Sequence, residues 1–272
     1  MDTNLCVIIP VHKPALSDYE YVSLRACIIH LSSYPCFLVY PDDMDISNYT
    51  ALKKDLLLKP VPSNWLSSVE SYNKMKLDLA FYQMFAGYSH MLTYELDAYI
   101  FNSNIENTKA FDFDYIGAPF FEGYWEATPG SNFIKGCNSG FSVRNIQSCI
   151  QVLKGMEKYR FHWVLYKLFL SHTSSLRLKL NELTKKKHEV FITGRFGFHF
   201  ADFHINEDVV WSEIVPQLFP SFTIADPMSA LKFSFEYNLE KSLALNNSEL
   251  PLGCHAWNKH LDFWKPYIDM ES

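Results

Sequence analysis

The sequence lacks the usual marks of a disulfide-rich or exported protein. Its six cysteines are scattered without a Cys-x-x-Cys pair, and no charged segment followed by an apolar one opens the chain. Regularly spaced cysteines and a leading signal segment characterise that class. We therefore expect a reduced, cytoplasmic protein.

Long runs of basic residues and long runs of apolar residues are also missing. The formal net charge is −6, and no run of lysine and arginine is longer than residues 185–187. A nucleic-acid-binding protein needs a broad basic surface, so nucleic acid is not expected as a partner. No apolar run approaches the roughly 20 residues that span a bilayer. Any membrane contact is therefore expected to be peripheral, at the inner face of the membrane.

Two common nucleotide-binding motifs are absent from residues 136–144, Gly-Cys-Asn-Ser-Gly-Phe-Ser-Val-Arg. This stretch has neither the Gly-Lys-Ser/Thr ending of a P-loop nor a Gly-x-Gly-x-x-Gly dinucleotide fingerprint. Its two glycines either let the backbone approach a ligand closely or form an ordinary β-bulge or hairpin. The first interpretation makes Asn138, Ser139 and Gly140 candidate binding residues.

What the chain does contain is an alternation of strand and helix patterns. Its 272 residues are 48% hydrophobic, enough for one large α/β domain or two small ones. Apolar runs at 5–10 and 35–40 predict buried parallel strands, and amphipathic spacings at 19–32 and 69–85 predict helices. This βαβ order predicts a single α/β domain, residues 1–272, with a mixed, mostly parallel sheet flanked by helices.

The end of the first predicted strand is a candidate ligand position. Pro10 terminates the strand, and His12 and Lys13 follow at its carboxyl end. Open α/β sheets bind their ligands at this edge. Lys13 either meets a phosphate there or is a solvated loop lysine.

Two carboxylates occur inside the apolar and aromatic run 91–101, which predicts a strand. Glu95 and Asp97 are two positions apart, so on a strand both would point to the same side. An ionised carboxylate in such surroundings must be paired, hydrogen-bonded or bound to a cation. The pair fits a Mg²⁺ or Mn²⁺ site completed by substrate phosphates, or a strand end solvated at a loop or bonded to backbone N–H groups. Late in the chain, Gly253 lets His255 point inward, as a packed core residue or as a further metal ligand.

A second acidic pair lies in the stretch 199–211. Glu207 and Asp208 are adjacent at a predicted helix start, with His204 just before them. Asn206 or one of the carboxylates can cap the helix, and a carboxylate that faces a cleft can act as a general base. Cap and catalytic interpretations both stay open.

Residues 159–187 are predicted to leave the core as a long helical excursion. Their first half is aromatic and their second half is basic. Such a segment either rests on an anionic membrane, docks a partner or presents a solvated helical face.

Taken together, these stretches resemble a nucleotide-sugar-dependent glycosyltransferase of the GT-A type. Four motifs occur in the order in which that fold uses them. They are Val-Ile-Ile-Pro-Val at the end of the first strand (7–11), Glu-Leu-Asp (95–97), Asn-Glu-Asp (206–208) and Gly-Cys-His (253–255). More narrowly, six motifs are similar to a little-characterised bacterial family found with polysaccharide-assembly genes. They lie at residues 94–98, 114–119, 138–144, 207–209, 232–236 and 253–257.

The resemblance implies a GT-A-like, Rossmann-type fold in which residues 1–145 mainly bind the nucleotide sugar and residues 146–272 mainly serve a glycan or glycolipid acceptor. It implies a Mn²⁺ or Mg²⁺ site at Glu95 and Asp97, with His255 as a further ligand, and a catalytic carboxylate at Asp208 or Glu207. The residues implied in binding the nucleotide sugar are Pro10, His12, Lys13, Lys74, Glu95, Asp97, Asn138, Ser139 and Gly140.

The chain departs from the family pattern at its first carboxylate, which is Glu rather than Asp. In another register Asp97 is the first acidic position and Tyr99 replaces the second, which leaves a single acidic ligand. A base opposite the leaving group gives inversion, whereas a retaining enzyme needs another assignment. Two other functions stay open: a non-catalytic nucleotide-sugar-binding or regulatory module, and a metal-dependent phosphoesterase, which needs more clustered ligands.

Overall fold

A six-stranded sheet forms the centre of the computed structural model, which describes residues 4–54, 56–159 and 206–270. Its strands are β1 (Leu5–Pro10), β2 (Cys36–Pro41), β3 (Leu57–Val61), β4 (His90–Tyr94), β6 (Tyr115–Ile116) and β9 (Phe141–Asn145). Their spatial order is β3-β2-β1-β4-β9-β6; the first four are parallel, and β9 runs antiparallel to both its neighbours. The predicted α/β class with a mixed, mostly parallel sheet is confirmed.

The unbroken apolar character of β1 follows from its central place. It pairs with β2 on one side and β4 on the other, and Leu5 to Ile9 are each at most 2% exposed. A strand covered on both faces has no position for a polar side chain.

The chain then enters α1 (Asp18–His30) through a capping box, in which the Ser17 side chain accepts from the Glu20 N–H and the Glu20 carboxylate accepts from the Ser17 N–H.

The single helix predicted for residues 69–85 is two helices. α3 (Val69–Met75) and α4 (Leu79–Gln83) are separated by a turn at Lys76 to Asp78. Asp78 starts the second helix by accepting a hydrogen bond from the Ala80 N–H at 2.8 Å. The break holds the Lys76 carbonyl oxygen in the interior, where it accepts from the Tyr82 hydroxyl at 2.9 Å and from the Trp211 indole at 3.1 Å.

The continuous strand expected through residues 91–101 is also interrupted. β4 ends at Tyr94, and a turn closed by the Ala98 N–H and the Glu95 carbonyl oxygen separates it from β5 (Tyr99–Ile100). β5 belongs to a small second sheet with β11 (Gly253–Cys254) and β10 (Ser234–Phe235), in the order β10-β11-β5. The turn lets the chain pass from one sheet to the other.

The remaining described elements surround these sheets. None of the helices in the described residues is long and apolar enough to cross a membrane. Beyond Tyr159, the predicted excursion 159–187 lies outside the described residues, and so do residues 199–205 of the stretch 199–211, including His204. The division of the chain near residue 145 stays a prediction. The other α-helices and strands are α2 (Ser47–Leu52), the β7–β8 hairpin (Pro119–Phe121 and Phe133–Cys137), α5 (Ile146–Tyr159), α6 (Glu207–Val209), α7 (Val215–Leu218), α8 (Pro227–Phe233), α9 (Leu239–Leu245) and α10 (Leu261–Trp264). A π-helical turn lies at Val210–Ile214, and 3₁₀ turns lie at Ser63–Trp65, Ile105–Thr108, Tyr124–Glu126 and Trp257–Lys259.

Candidate functional site

The turn after β4 and the segment after β11 bring three possible metal ligands together. One ligand atom from each of Glu95, Asp97 and His255 lies within 4.8 Å of the others. His255 Nε2 is 3.0 Å from Asp97 Oδ1 and 3.5 Å from Glu95 Oε2. The carboxylates converge because a tight turn, rather than the two-residue period of a strand, places them on one side.

The chemistry of this group fits a divalent cation. His255 Nδ1 lies 3.0 Å from Glu236 Oε1, while His255 Nε2 is buried and makes no hydrogen bond of good geometry within the described chain. One nitrogen is thus engaged, and the other faces two carboxylates. Mixed imidazole and carboxylate ligands suit Mn²⁺, and carboxylates suit Mg²⁺.

The three carboxylates around His255 act strongly on its charge state. Burial alone would lower the pKa of the imidazole, but the charges of Asp97 and Glu236, and the hydrogen bond with Glu236, raise that pKa well above its usual value. Burial alone would raise the pKa of Glu95, yet Lys76 and His255 hold it well below the usual range. The site therefore favours positive charge at its centre.

Lys76 is the cation at the back of the site. Its Nζ lies 3.2 Å from Glu95 Oε1, 2.9 Å from Ser139 Oγ and 2.7 Å from Glu207 Oε1, and its side chain is 1% exposed. The Tyr72 hydroxyl also donates to Glu95 Oε1, at 2.8 Å. Glu95 Oε1 is thus fully engaged, which leaves Oε2 as the oxygen that faces His255.

Lys74, the lysine that the sequence suggested, points elsewhere. Its Nζ lies 2.6 Å from Glu70 Oε1, one helical turn away, and both side chains are partly exposed. Lys76 was missed as a site residue. The available signal was its position one turn after Tyr72, among the apolar residues of the helix face.

Glu207 and Asp208 lie side by side at the start of α6 but in different electrostatic surroundings. Glu207 is held by Lys76 and by Arg144 Nη2 at 2.9 Å, and its backbone N–H donates to Asn73 Oδ1 at 2.8 Å. Within the described chain, no lysine or arginine forms a salt bridge with Asp208. Burial, Glu207 and Glu236 raise the pKa of Asp208 to about 7. Asn206 takes the N-cap position without a side-chain cap bond.

A cavity of about 590 Å³ lies beside the three ligands. Glu207 and Asp208 are not among its lining residues. Lys13, in the wall, pairs with Glu20 at 2.8 Å. Among the residues predicted for donor binding, those that line the cavity are Pro10, His12, Lys13, Glu95 and Asp97.

The predicted residues Asn138, Ser139 and Gly140 support the site without lining this cavity. Asn138 Oδ1 accepts from the Gly140 N–H at 2.8 Å, and the Gly140 carbonyl oxygen accepts from the Glu95 N–H at 2.9 Å. A Cβ atom on Gly140 would lie 2.0 Å from His255 Nε2. Glycine is therefore required here because the imidazole occupies the space of a side chain.

The sheet and this site define an α/β protein with a candidate divalent-cation site at the carboxyl ends of its parallel strands. The chain belongs to the family described as "Protein of unknown function (DUF5672)", whose model matches residues 55–255. No curated protein sequence matches it.

Several solved structures share its general shape at low identity. A galactosyltransferase, LgtC, crystallised with donor and acceptor sugar analogues, is 11% identical over 92% of this chain and 86% of its own, with a TM-score of 0.49. A glycosyltransferase involved in glycosylation of the major capsid of PBCV-1 is 11% identical over 95% of this chain and 98% of its own, with a TM-score of 0.46. Mouse xyloside xylosyltransferase 1 is 13% identical over 94% of this chain and 97% of its own, with a TM-score of 0.46. At these values the likenesses carry no argument about the chemistry of this chain.

Proposed function

We propose that the chain is a GT-A-type glycosyltransferase that moves a sugar from a nucleoside-diphosphate sugar to a hydroxyl group of a glycan or glycolipid. The observation that carries the proposal is the convergence of Glu95, Asp97 and His255 beside a 590 Å³ cavity. The cavity lies where Pro10 ends β1 and where the turn follows β4, the edge at which open α/β sheets bind ligands.

Glu95, Asp97 and His255 are the residues that would hold Mn²⁺ or Mg²⁺. When bound, such a cation offsets the negative charge that a nucleoside diphosphate gains as it leaves the sugar. Lys13 lies in the cavity wall, and we assign it to bind the diphosphate. To do so, its ammonium group would leave the carboxylate of Glu20. Lys76 is buried and holds Glu95 in place instead of contacting the donor.

Asp208 is the carboxylate that we assign as the general base. A base works best with a pKa near the working pH, and the pKa of Asp208 is raised to about 7. Glu207 is a weaker candidate because Lys76 and Arg144 neutralise it. Proton removal by Asp208 at the acceptor hydroxyl, opposite the leaving diphosphate, corresponds to inversion. The cytoplasmic location, peripheral membrane contact and polysaccharide-assembly role stay predictions.

The test is thermal unfolding of the full chain with a panel of nucleotide sugars, with and without Mn²⁺, followed by assay of nucleoside diphosphate release. We expect one donor to raise Tm, more strongly with Mn²⁺, because a ligand at about 100 times its Kd adds about 2.7 kcal/mol of stability. The proposal fails if no nucleotide sugar raises Tm. Binding without transfer to any glycan acceptor would favour the non-catalytic module instead.

A further inference from the structure

Glu236 is a buried carboxylate to which the proposed reaction assigns no role. Glu236 is 3% exposed, and its Oε1 lies 3.0 Å from His255 Nδ1. A carboxylate in such a place needs a partner. Since an ionised carboxylate only accepts hydrogen bonds, Nδ1 of His255 is the donor.

The pairing of β10 with β11 fixes this contact. Phe235 is in register with Cys254, so the next residues along the two parallel strands, Glu236 and His255, lie side by side. The backbone N–H of His255 also donates to the carbonyl oxygen of Phe235 at 2.9 Å. On the other side of the ring, Gly140 leaves only the space that the imidazole fills.

We propose that Glu236 is a positioning residue that fixes the orientation and tautomer of His255 for a divalent cation. With the proton of the neutral ring kept on Nδ1, the lone pair of Nε2 faces Asp97 and Glu95. Carboxylate partners of this kind orient metal-binding histidines and raise their basicity. The inference rests on the metal-assisted part of the proposed function.

The experiment measures Mn²⁺ binding to the metal-free full chain by the electron paramagnetic resonance signal of unbound Mn²⁺. We compare the wild type with Glu236→Ala, Glu236→Gln and Asp97→Asn. The control is Glu240→Gln, which removes the same charge from an exposed position at the start of α9. Glu236→Ala is expected to weaken Mn²⁺ binding by about 10–100-fold, and Glu236→Gln by less because the amide oxygen still accepts from Nδ1–H.

A second readout is independent of the metal and of activity. The ¹⁵N spectrum of His255, recorded at a pH high enough to leave the ring neutral, is expected to show the proton on Nδ1 in the wild type and a mixture of tautomers in Glu236→Ala. Retained Mn²⁺ affinity in Glu236→Ala, or an unchanged tautomer, overturns the proposal, and so does a wild type that binds Mn²⁺ no better than Asp97→Asn. If Mn²⁺ binds as expected but no nucleotide sugar does, the proposed function fails while the positioning role stands.

Discussion

The ammonium group of Lys76 lies 2.7 Å from Oε1 of Glu207, and both side chains are almost wholly buried. The same ammonium group contacts Glu95 in the turn after β4. One cation therefore ties the candidate metal ligands to the acidic pair of α6, across elements more than 100 residues apart in sequence. The precision of the site depends on this buried charge.

Removal of this cation should destabilise the fold. Lys76→Met leaves the buried Glu207 with Arg144 alone and Glu95 with His255 alone, and loss of one partner from a buried ion pair typically costs about 3–5 kcal/mol. Lys74→Met is the matched control, because the partly exposed Lys74–Glu70 pair contributes at most about 1 kcal/mol. Urea unfolding of both variants checks the difference, and equal losses would contradict it.

The cation site should depend on Asp97 and on the donor phosphates. Calorimetry is expected to show weak Mn²⁺ binding to the wild type that becomes tighter with a nucleoside diphosphate, because the phosphate oxygens complete the coordination. Asp97→Asn should lose this coupling, whereas Asp112→Asn, on an exposed turn, should keep it. Undiminished coupling in Asp97→Asn would remove Asp97 from the metal site.

Substitutions of the two acidic residues of α6, Glu207 and Asp208, should affect different properties of the protein. Asp208→Asn is expected to lower the transfer rate by about 10²–10⁴-fold with donor affinity nearly intact, because a general base acts in the transition state. Glu207→Gln should mainly lower stability, since Lys76 and Arg144 would lose their shared counter-charge. Transfer rates, nucleotide affinities and unfolding curves distinguish them; a fully active Asp208→Asn would place the base elsewhere.

The transfer rate should rise with pH through about 7. Burial, Glu207 and Glu236 raise the pKa of Asp208 to about 7, against the opposing effects of the Val209 N–H and Lys76. The base works only when ionised, so kcat/KM should fall below this pH and level off above it. Glu236→Gln removes one negative charge and should move the acid limb to lower pH. A profile flat between pH about 5 and 8 would contradict this assignment.

Gly140 should tolerate no side chain. In Gly140→Ala the new Cβ would lie 2.0 Å from His255 Nε2, so the ring must move out of the ligand group. We expect Mn²⁺ affinity to fall by at least about tenfold, the effect of disturbing a ligand's orientation. Gly87→Ala is the control, because a Cβ there meets no atom within 4 Å. Equal Mn²⁺ affinities in the two variants would contradict the geometry.

Local pattern was sufficient for much of the fold. The apolar run of β1 and the helical spacing of α1 are properties of neighbouring residues, so strand, helix and their order were predictable. The need of Glu95 and Asp97 for a partner is likewise visible in sequence, since both carboxylates stand among apolar and aromatic residues.

Tertiary structure alone decided how those parts meet. The turns after Tyr94 and at Lys76 replaced a predicted strand and a predicted helix, because interior contacts outweighed local periodicity. Lys76 faces Glu207, and Glu236 faces His255, only because strand register and chain crossing bring distant segments together. Charge pairing acts at about 3 Å in space, a distance that sequence separation does not report.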